Sequence, residues 1–137
     1  MLTYNRTTVN ERLHILEGSV MLLYCFFAYF VTDDEGGCIH ASDSISLTVK
    51  NTKAFYTKSE SKGGFLYADR SNVSFYSNNI EFCSSLFIGV FLFVKNAQAT
   101  VNCSEFVMGI GNRDIITFGG HTPCTLTKHN FTNIGVL

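Results

Sequence analysis

The sequence predicts an all-β fold, a right-handed parallel β-helix of about five coils with three short strands in each. Three observations predict it: a repeat of about 26 residues, short apolar–polar alternations inside every repeat, and no ten-residue stretch with helical periodicity. The unit is most legible at Gly63-Gly64-Phe65-Leu66-Tyr67-Ala68, followed by Val73-Ser74-Phe75-Tyr76-Ser77-Asn78. A step of 27 residues back from the glycine pair gives Gly36-Gly37-Cys38-Ile39, and a step of 25 forward from Gly64 gives Gly89-Val90-Phe91-Leu92 with one glycine lost.

The second half of the unit is more regular. The triplets Leu47-Thr48-Val49, Val73-Ser74-Phe75, Ala99-Thr100-Val101 and Cys124-Thr125-Leu126 follow one another at 26, 26 and 25 residues. Each is apolar, hydroxyl, apolar, the pattern of a strand with one buried face. A repeat this short cannot bury its own apolar side and must stack on its neighbours. Stacking predicts inward columns of Leu23, Val49, Phe75, Val101 and Leu126, of Ala28, Ala54, Ile80, Phe106 and Phe131, and of Leu13, Ile39, Leu66, Phe91 and Ile116. Between the triplet's inward residues runs an outward ladder of Thr48, Ser74, Thr100 and Thr125, interrupted at Leu22. Turn positions collect Asn51, Ser77 or Asn78, Asn102 and Lys128. Residues 1–12 read as a lead-in or cap, and 13–137 as the repeats.

Composition narrows the function classes. The chain of 137 residues is 46% hydrophobic and 15% charged, with 10 basic and 11 acidic residues. Disorder needs a more polar, more charged chain, and nucleic-acid binding needs a basic face that this balance does not supply. The apolar run Val20 to Val31 is 12 residues long, short of the roughly 20 that span a bilayer as a helix. It fits the apolar core of a signal peptide in length, but Asp33-Asp34-Glu35 follows where small residues would mark a cleavage site. Two buried strands are the third reading of the run.

Five cysteines at 25, 38, 83, 103 and 124 form no CxxC pair and stand at no metal-ligand spacing from histidine, so neither a zinc site nor a cofactor is implied. They read as small buried side chains. Cys25 and Cys103 share a coil position in this register but lie three coils apart, about 14 Å, beyond the roughly 7 Å Cα separation a disulfide tolerates.

The residues Gly36-Gly37-Cys38-Ile39, Gly63-Gly64-Phe65-Leu66 and Phe75-Tyr76-Ser77-Asn78 resemble the Gly-Gly-x-Ile/Leu and Phe-x-x-Asn repeat of the polymorphic outer membrane protein (Pmp) class. That class belongs to the pectate-lyase-like superfamily of right-handed β-helices. The usual alanine after the glycine pair is here Cys38 or Phe65, and the third unit keeps Gly89 alone. The resemblance implies a surface or secreted repeat protein used in adhesion or as a spacer, with host or environmental glycans or proteins as partners. Members of the class are usually much longer, so the chain reads as a small member or a fragment. An uncapped parallel end would favour end-to-end association.

Many β-helices of that superfamily cleave acidic sugars, which requires carboxylates converging on one outer face. The register supplies one such pair. Outward columns of Lys53, Asn79, Glu105 and Asn130, and of Phe55, Glu81, Val107 and Thr132, bring Glu81 near Glu105, the weak candidates for a catalytic pair. Asp33-Asp34-Glu35 lacks the alternating spacing of a calcium loop and reads as a polar turn. His14 and His40 stack on neighbouring coils at a spacing of 26, more as surface histidines than as a metal chelate. His121 and His129 near Cys124 lack an orienting third group for nucleophilic catalysis. Sequons at Asn72, Asn102 and Asn130 fall at coil turns, where they could carry glycans; a fourth is at Asn5. The reading that follows is a non-enzymatic β-helix for display, adhesion or glycan contact. A polysaccharide lyase or glycosidase, and a purely structural module of a larger surface protein, are its alternatives.

Overall fold

A computed structural model describes residues 1–111, 114–119, 124–127, 130–132 and 135–136. The chain winds as a parallel β-solenoid with three faces. The first face stacks Leu2–Asn5, Ser19–Leu23, Ser46–Lys50, Asn72–Tyr76, Ala99–Asn102 and Cys124–Thr127. The second stacks Thr8–Val9, Phe26–Thr32, Lys53–Ser59, Asn79–Ser85, Glu105–Val107 and Asn130–Thr132, with Ile110–Gly111 and Gly135–Val136 extending it. The third stacks Leu13–Ile15, Ile39–Ser42, Leu66–Asp69, Leu92–Lys95 and Ile116–Gly119. Every pairing is parallel. From Leu13 through Ile39, Leu66 and Leu92 to Ile116 the third face comes round in about four turns, not the five expected.

Within the core triplets the observed register is the expected one. Val49, Phe75, Val101 and Leu126 are partners in sequence, as are Thr48, Ser74, Thr100 and Thr125. Two columns need correcting towards the N-terminus. Val49 pairs with Leu22 rather than Leu23, and Ala54 with Phe27 rather than Ala28. The cause is one extra residue in the turn 42–46: Ala41 pairs with Ile15 but Ser46 with Ser19, and Ile45 stands out of that turn 70% exposed. A fixed step of 26 therefore lands one residue late. Met21, not Leu22, interrupts the hydroxyl ladder, and Leu22 is fully buried. The same slip places Cys25 beside Thr52 and not in the column of Cys103; both thiols are free.

The third column changes too. Leu66 pairs with Leu92 and not Phe91, which lies beside Phe65 at the preceding position. Gly89 therefore takes the place of Gly63, and Val90 that of Gly64. The backbone explains which glycine survives: Gly36, Gly63 and Gly89 have φ of +73°, +67° and +68°, the left-handed region that a side chain disfavours. Gly64 serves close approach instead, since a Cβ there would lie 2.6 Å from Cys83 Sγ.

The run Val20 to Val31 resolves into Ser19–Leu23 and Phe26–Thr32, with Leu22 and Phe27 buried and Tyr29 and Val31 exposed. Residues 2–5 and 8–9 lie against this coil as further strands of the first and second faces. No helix among the described residues is long and apolar enough to cross a membrane. The interior is an aromatic stack: Phe75–Phe106 at 5.9 Å, Phe106–Phe131 at 5.2 Å and Phe91–Phe106 at 5.0 Å between ring centroids. Full burial of Phe75, Phe91 and Phe106 contributes about 1.5–3 kcal/mol each, and each well-oriented pair about 0.5–1.5 kcal/mol more.

Corners are held by polar side chains turned inward. Cys25 N–H donates to Thr52 Oγ1 (3.3 Å), Thr52 N–H to Asn78 Oδ1 (2.8 Å), and Asn78 N–H to Ser104 Oγ (3.2 Å), one coil after another. All four residues are buried. This ladder lets a low-charge chain satisfy the backbone donors its corners strand inside the solenoid.

Candidate functional site

Three outer surfaces differ in chemistry. On the first face the hydroxyl column of Thr48, Ser74 and Thr100 runs beside a column of Leu23, Lys50, Tyr76 and Asn102. Met21, Leu23, Thr48, Lys50, Tyr76 and Asn102 from these columns, with Ser77 and Cys103 at the rim, bound an open groove of about 610 Å³. Its walls combine a phenol ring, apolar Met21 and Leu23, an ammonium, a carboxamide and hydroxyls. That mixture of apolar surface and a few placed polar groups characterises small-ligand sites. The hydroxyls repeat about every 4.8 Å, the spacing of the coils.

The second face carries an exposed apolar ridge. Tyr29, Tyr56, Phe82 and Met108 occupy one column, with φ of 60°, 57°, 54° and 54°. Left-handed backbone costs a residue other than glycine about 1–2 kcal/mol. The conformation breaks the strand's alternation, so that Phe55 and Tyr56 both point outward. Rings touch along the ridge: Tyr29–Tyr56 at 5.8 Å, Tyr29–Phe55 at 5.7 Å and Phe55–Phe82 at 5.0 Å. Strict alternation would bury Tyr56 and Phe82, so period-two reading overlooks them. Their recurrence 26 residues apart is the signal that could have found them.

Glu81 and Glu105 lie on this same face. Glu105 pairs with Asn79, whose Nδ2 donates to it at 3.1 Å, while Glu81 sits between Phe55 and Val107. The two carboxylates are therefore diagonal neighbours, separated by one strand position along the outer side.

The third face is cross-linked by ion pairs. Arg12 reaches Asp34 (3.4 Å), the carbonyl of Gly36 (2.7 Å) and the carbonyl of Glu35, so it clamps the polar turn Asp33-Asp34-Glu35. Lys62 pairs with Glu35 (3.6 Å), and Asp69 with Lys95 (3.5 Å) and Arg70 (2.9 Å). The Glu35 backbone N–H, aided by Arg12, holds the Asp34 carboxyl below its usual range. Beneath these charges His14, His40, Tyr67 and Phe93 form a column of touching rings, with His14–His40 at 5.6 Å and Tyr67–Phe93 stacked at 5.4 Å. Arg12 Nη1 lies 2.6 Å from His14 Nε2, which occupies that nitrogen. Burial lowers the His40 pKa and raises that of Tyr67, while the Tyr67 hydroxyl raises that of Lys95.

Burial pushes the Cys83 thiol up to about 12 and Cys38 well above its ordinary value. Both stay as thiols near neutral pH and lack the thiolate that nucleophilic chemistry uses. Among the described residues no group of three or more His, Cys, Asp or Glu is placed to hold a metal ion. Asn72 is exposed at the start of its strand, and Asn102 is half-buried at the end of its own. Asn130 opens a second-face strand. His121, His129 and Lys128 lie outside the described residues.

No family model, curated protein or solved structure matches the chain. The assignment to a parallel β-solenoid rests on the register and the three stacked faces.

Proposed function

We propose that this protein is a non-enzymatic β-helix repeat protein that acts in display or adhesion and contacts glycans across its first face. The observation that carries the reading is the groove that joins Tyr76, Lys50 and Asn102 to Thr48, beside which the hydroxyls of Ser74 and Thr100 continue on the next coils. Sugars present apolar ring faces and an edge of hydroxyls, and this groove offers a partner for each. The hydroxyls of Thr48, Ser74 and Thr100 recur from coil to coil on the same face, so an extended glycan can engage several coils at once and gain from multivalency.

The likeness of Gly36-Gly37-Cys38-Ile39, Gly63-Gly64-Phe65-Leu66 and Phe75-Tyr76-Ser77-Asn78 to Pmp repeats supports the same reading, and with it a cell-surface or secreted location. So does the engagement of the third-face carboxylates in ion pairs between coils. The test is binding of the purified protein to immobilised neutral and acidic polysaccharides, with Tyr76→Ala and Lys50→Ala alongside. The expected result is retained binding by native protein and loss in both variants at unchanged melting temperature. Turnover of uronate polymers, abolished by Glu81→Gln or Glu105→Gln, would overturn the proposal in favour of a lyase or glycosidase.

A further inference from the structure

We infer that the first-face groove is selective for charge: it takes a glycan that carries an anionic ring substituent, a carboxylate or a sulfate, and Lys50 is the residue that selects it. This selectivity presupposes glycan contact on that face and names the class of glycan. None of the chain's 11 aspartates and glutamates lies in a first-face strand, and none lines the groove. The polar side chains that do line it, those of Thr48, Lys50, Tyr76, Ser77 and Asn102, can all donate hydrogen bonds. A neutral sugar leaves the charge of the ammonium unanswered, whereas an anionic substituent answers it.

The chain treats its other cations differently. Arg12, Lys58, Lys62, Arg70 and Lys95 each meet a carboxylate within 3.6 Å. Among the described residues Arg6, Lys50 and Lys53 meet none. Arg6 stands one coil before Tyr24, in the corner column that continues through Asn51 and Ser77 to Cys103, and its guanidinium lies over the Tyr24 ring at 5.7 Å. Lys53 opens the second-face strand of the coil that carries Lys50. The carboxylate at that position two coils on, Glu105, is bound by Asn79 Nδ2 at 3.1 Å. Charges on the remaining faces are screened over about 8 Å at physiological salt, so the potential over this acid-free sheet is positive although the chain's net charge is −1. Register supplies the fit. Tyr76 pairs directly with Lys50 on the neighbouring coil, about 4.8 Å away, so a pyranose stacked on the phenol places a substituent of its ring within reach of the ammonium. A hydrogen bond between two charged groups is roughly twice as strong as a neutral one.

Affinities for dextran, carboxymethyl dextran and dextran sulfate of equal chain length test it, since the three share a backbone and differ in charge. At least one charged polymer should bind the native protein about tenfold more tightly than dextran, with a margin that shrinks as salt rises; the polymer that gains names the substituent. Lys50→Met, which keeps the apolar stem, should erase the margin. Lys50→Arg should keep it, and Lys58→Met on the second face should leave it unchanged. Equal affinity for the three polymers, or a margin that survives Lys50→Met or is lost in Lys58→Met, would overturn the inference and leave glycan contact standing. Failure of all three polymers to bind would overturn glycan contact itself, and the selectivity with it.

Discussion

The side chain of Asn78 holds two coils together: its Oδ1 accepts the backbone N–H of Thr52 at 2.8 Å, and its Nδ2 donates to the carbonyl of Val49 at 2.9 Å. Both bonds lie in the dry interior. Asn78→Ala strands a donor and an acceptor without water, which costs about 1–3 kcal/mol for each orphaned group. Urea denaturation should show a lower midpoint with an unchanged slope. A midpoint equal to that of the native protein would mean that the ladder does not carry the corner.

Phe75 is fully buried and stacks on Phe106 at 5.9 Å. Phe75→Ala should cost about 3–5 kcal/mol, and Phe75→Asp, which places a charge in the column, should prevent folding as judged by circular dichroism. Tolerance of the aspartate would refute the inward register.

Gly63 and Gly18 separate backbone strain from steric contact. Both have positive φ, +67° and +76°, but a Cβ on Gly63 would collide with the carbonyl of Leu66 while one on Gly18 meets nothing within 4 Å. Gly18→Ala should therefore lower stability by about 1 kcal/mol, and Gly63→Ala by clearly more. Equal losses in thermal melts would contradict the close packing of this turn.

Stability should fall in two stages as pH drops. His40 binds its proton less readily folded than its ordinary value of 6.5, so the unfolded chain takes up more protons and stability is lost as pH falls below about 6.5. Asp34 and Asp43 are held below 3.8, the first by the Glu35 N–H and the second by Arg70, and their contribution is lost as pH falls below that value. His40→Gln should remove the first stage and leave the second, as read from denaturation midpoints across the acid range. A native profile flat from neutrality down to pH 4.5 or so would contradict the placement of His40.

Thiol accessibility follows burial. In a Cys124→Ser background, Cys103 is exposed and should react with a thiol reagent in the native state, whereas Cys25, Cys38 and Cys83 should react after unfolding. Rapid labelling of Cys83 would contradict the packing against Thr57 and Gly64.

The columns through Val49, Phe75 and Val101 were legible because alternation and a constant step coincide there. The fixed step puts Leu23 and Ala28 where Leu22 and Phe27 belong, because one added residue near Ile45 shifts the register while leaving the hydrophobic pattern plausible at either position. The ridge of Tyr29, Tyr56, Phe82 and Met108 escapes a period-two reading for a different reason, although the recurrence of Tyr56 and Phe82 at the coil spacing marks it. A left-handed residue inside a strand turns an inward position outward, and that is a property of φ rather than of pattern. The hydroxyl half of the first-face groove could be read from the triplets. Its Lys50–Tyr76–Asn102 half could not, since those residues share no chemistry down the column.

The most direct test of the functional account is a nuclear magnetic resonance titration with a neutral oligosaccharide, following backbone amide shifts. Perturbations should be confined to the first face, centred on Thr48, Lys50, Tyr76 and Asn102, and should saturate without change in the sugar. Perturbations centred on Glu81 and Glu105, accompanied by cleavage of an acidic polymer, would contradict it.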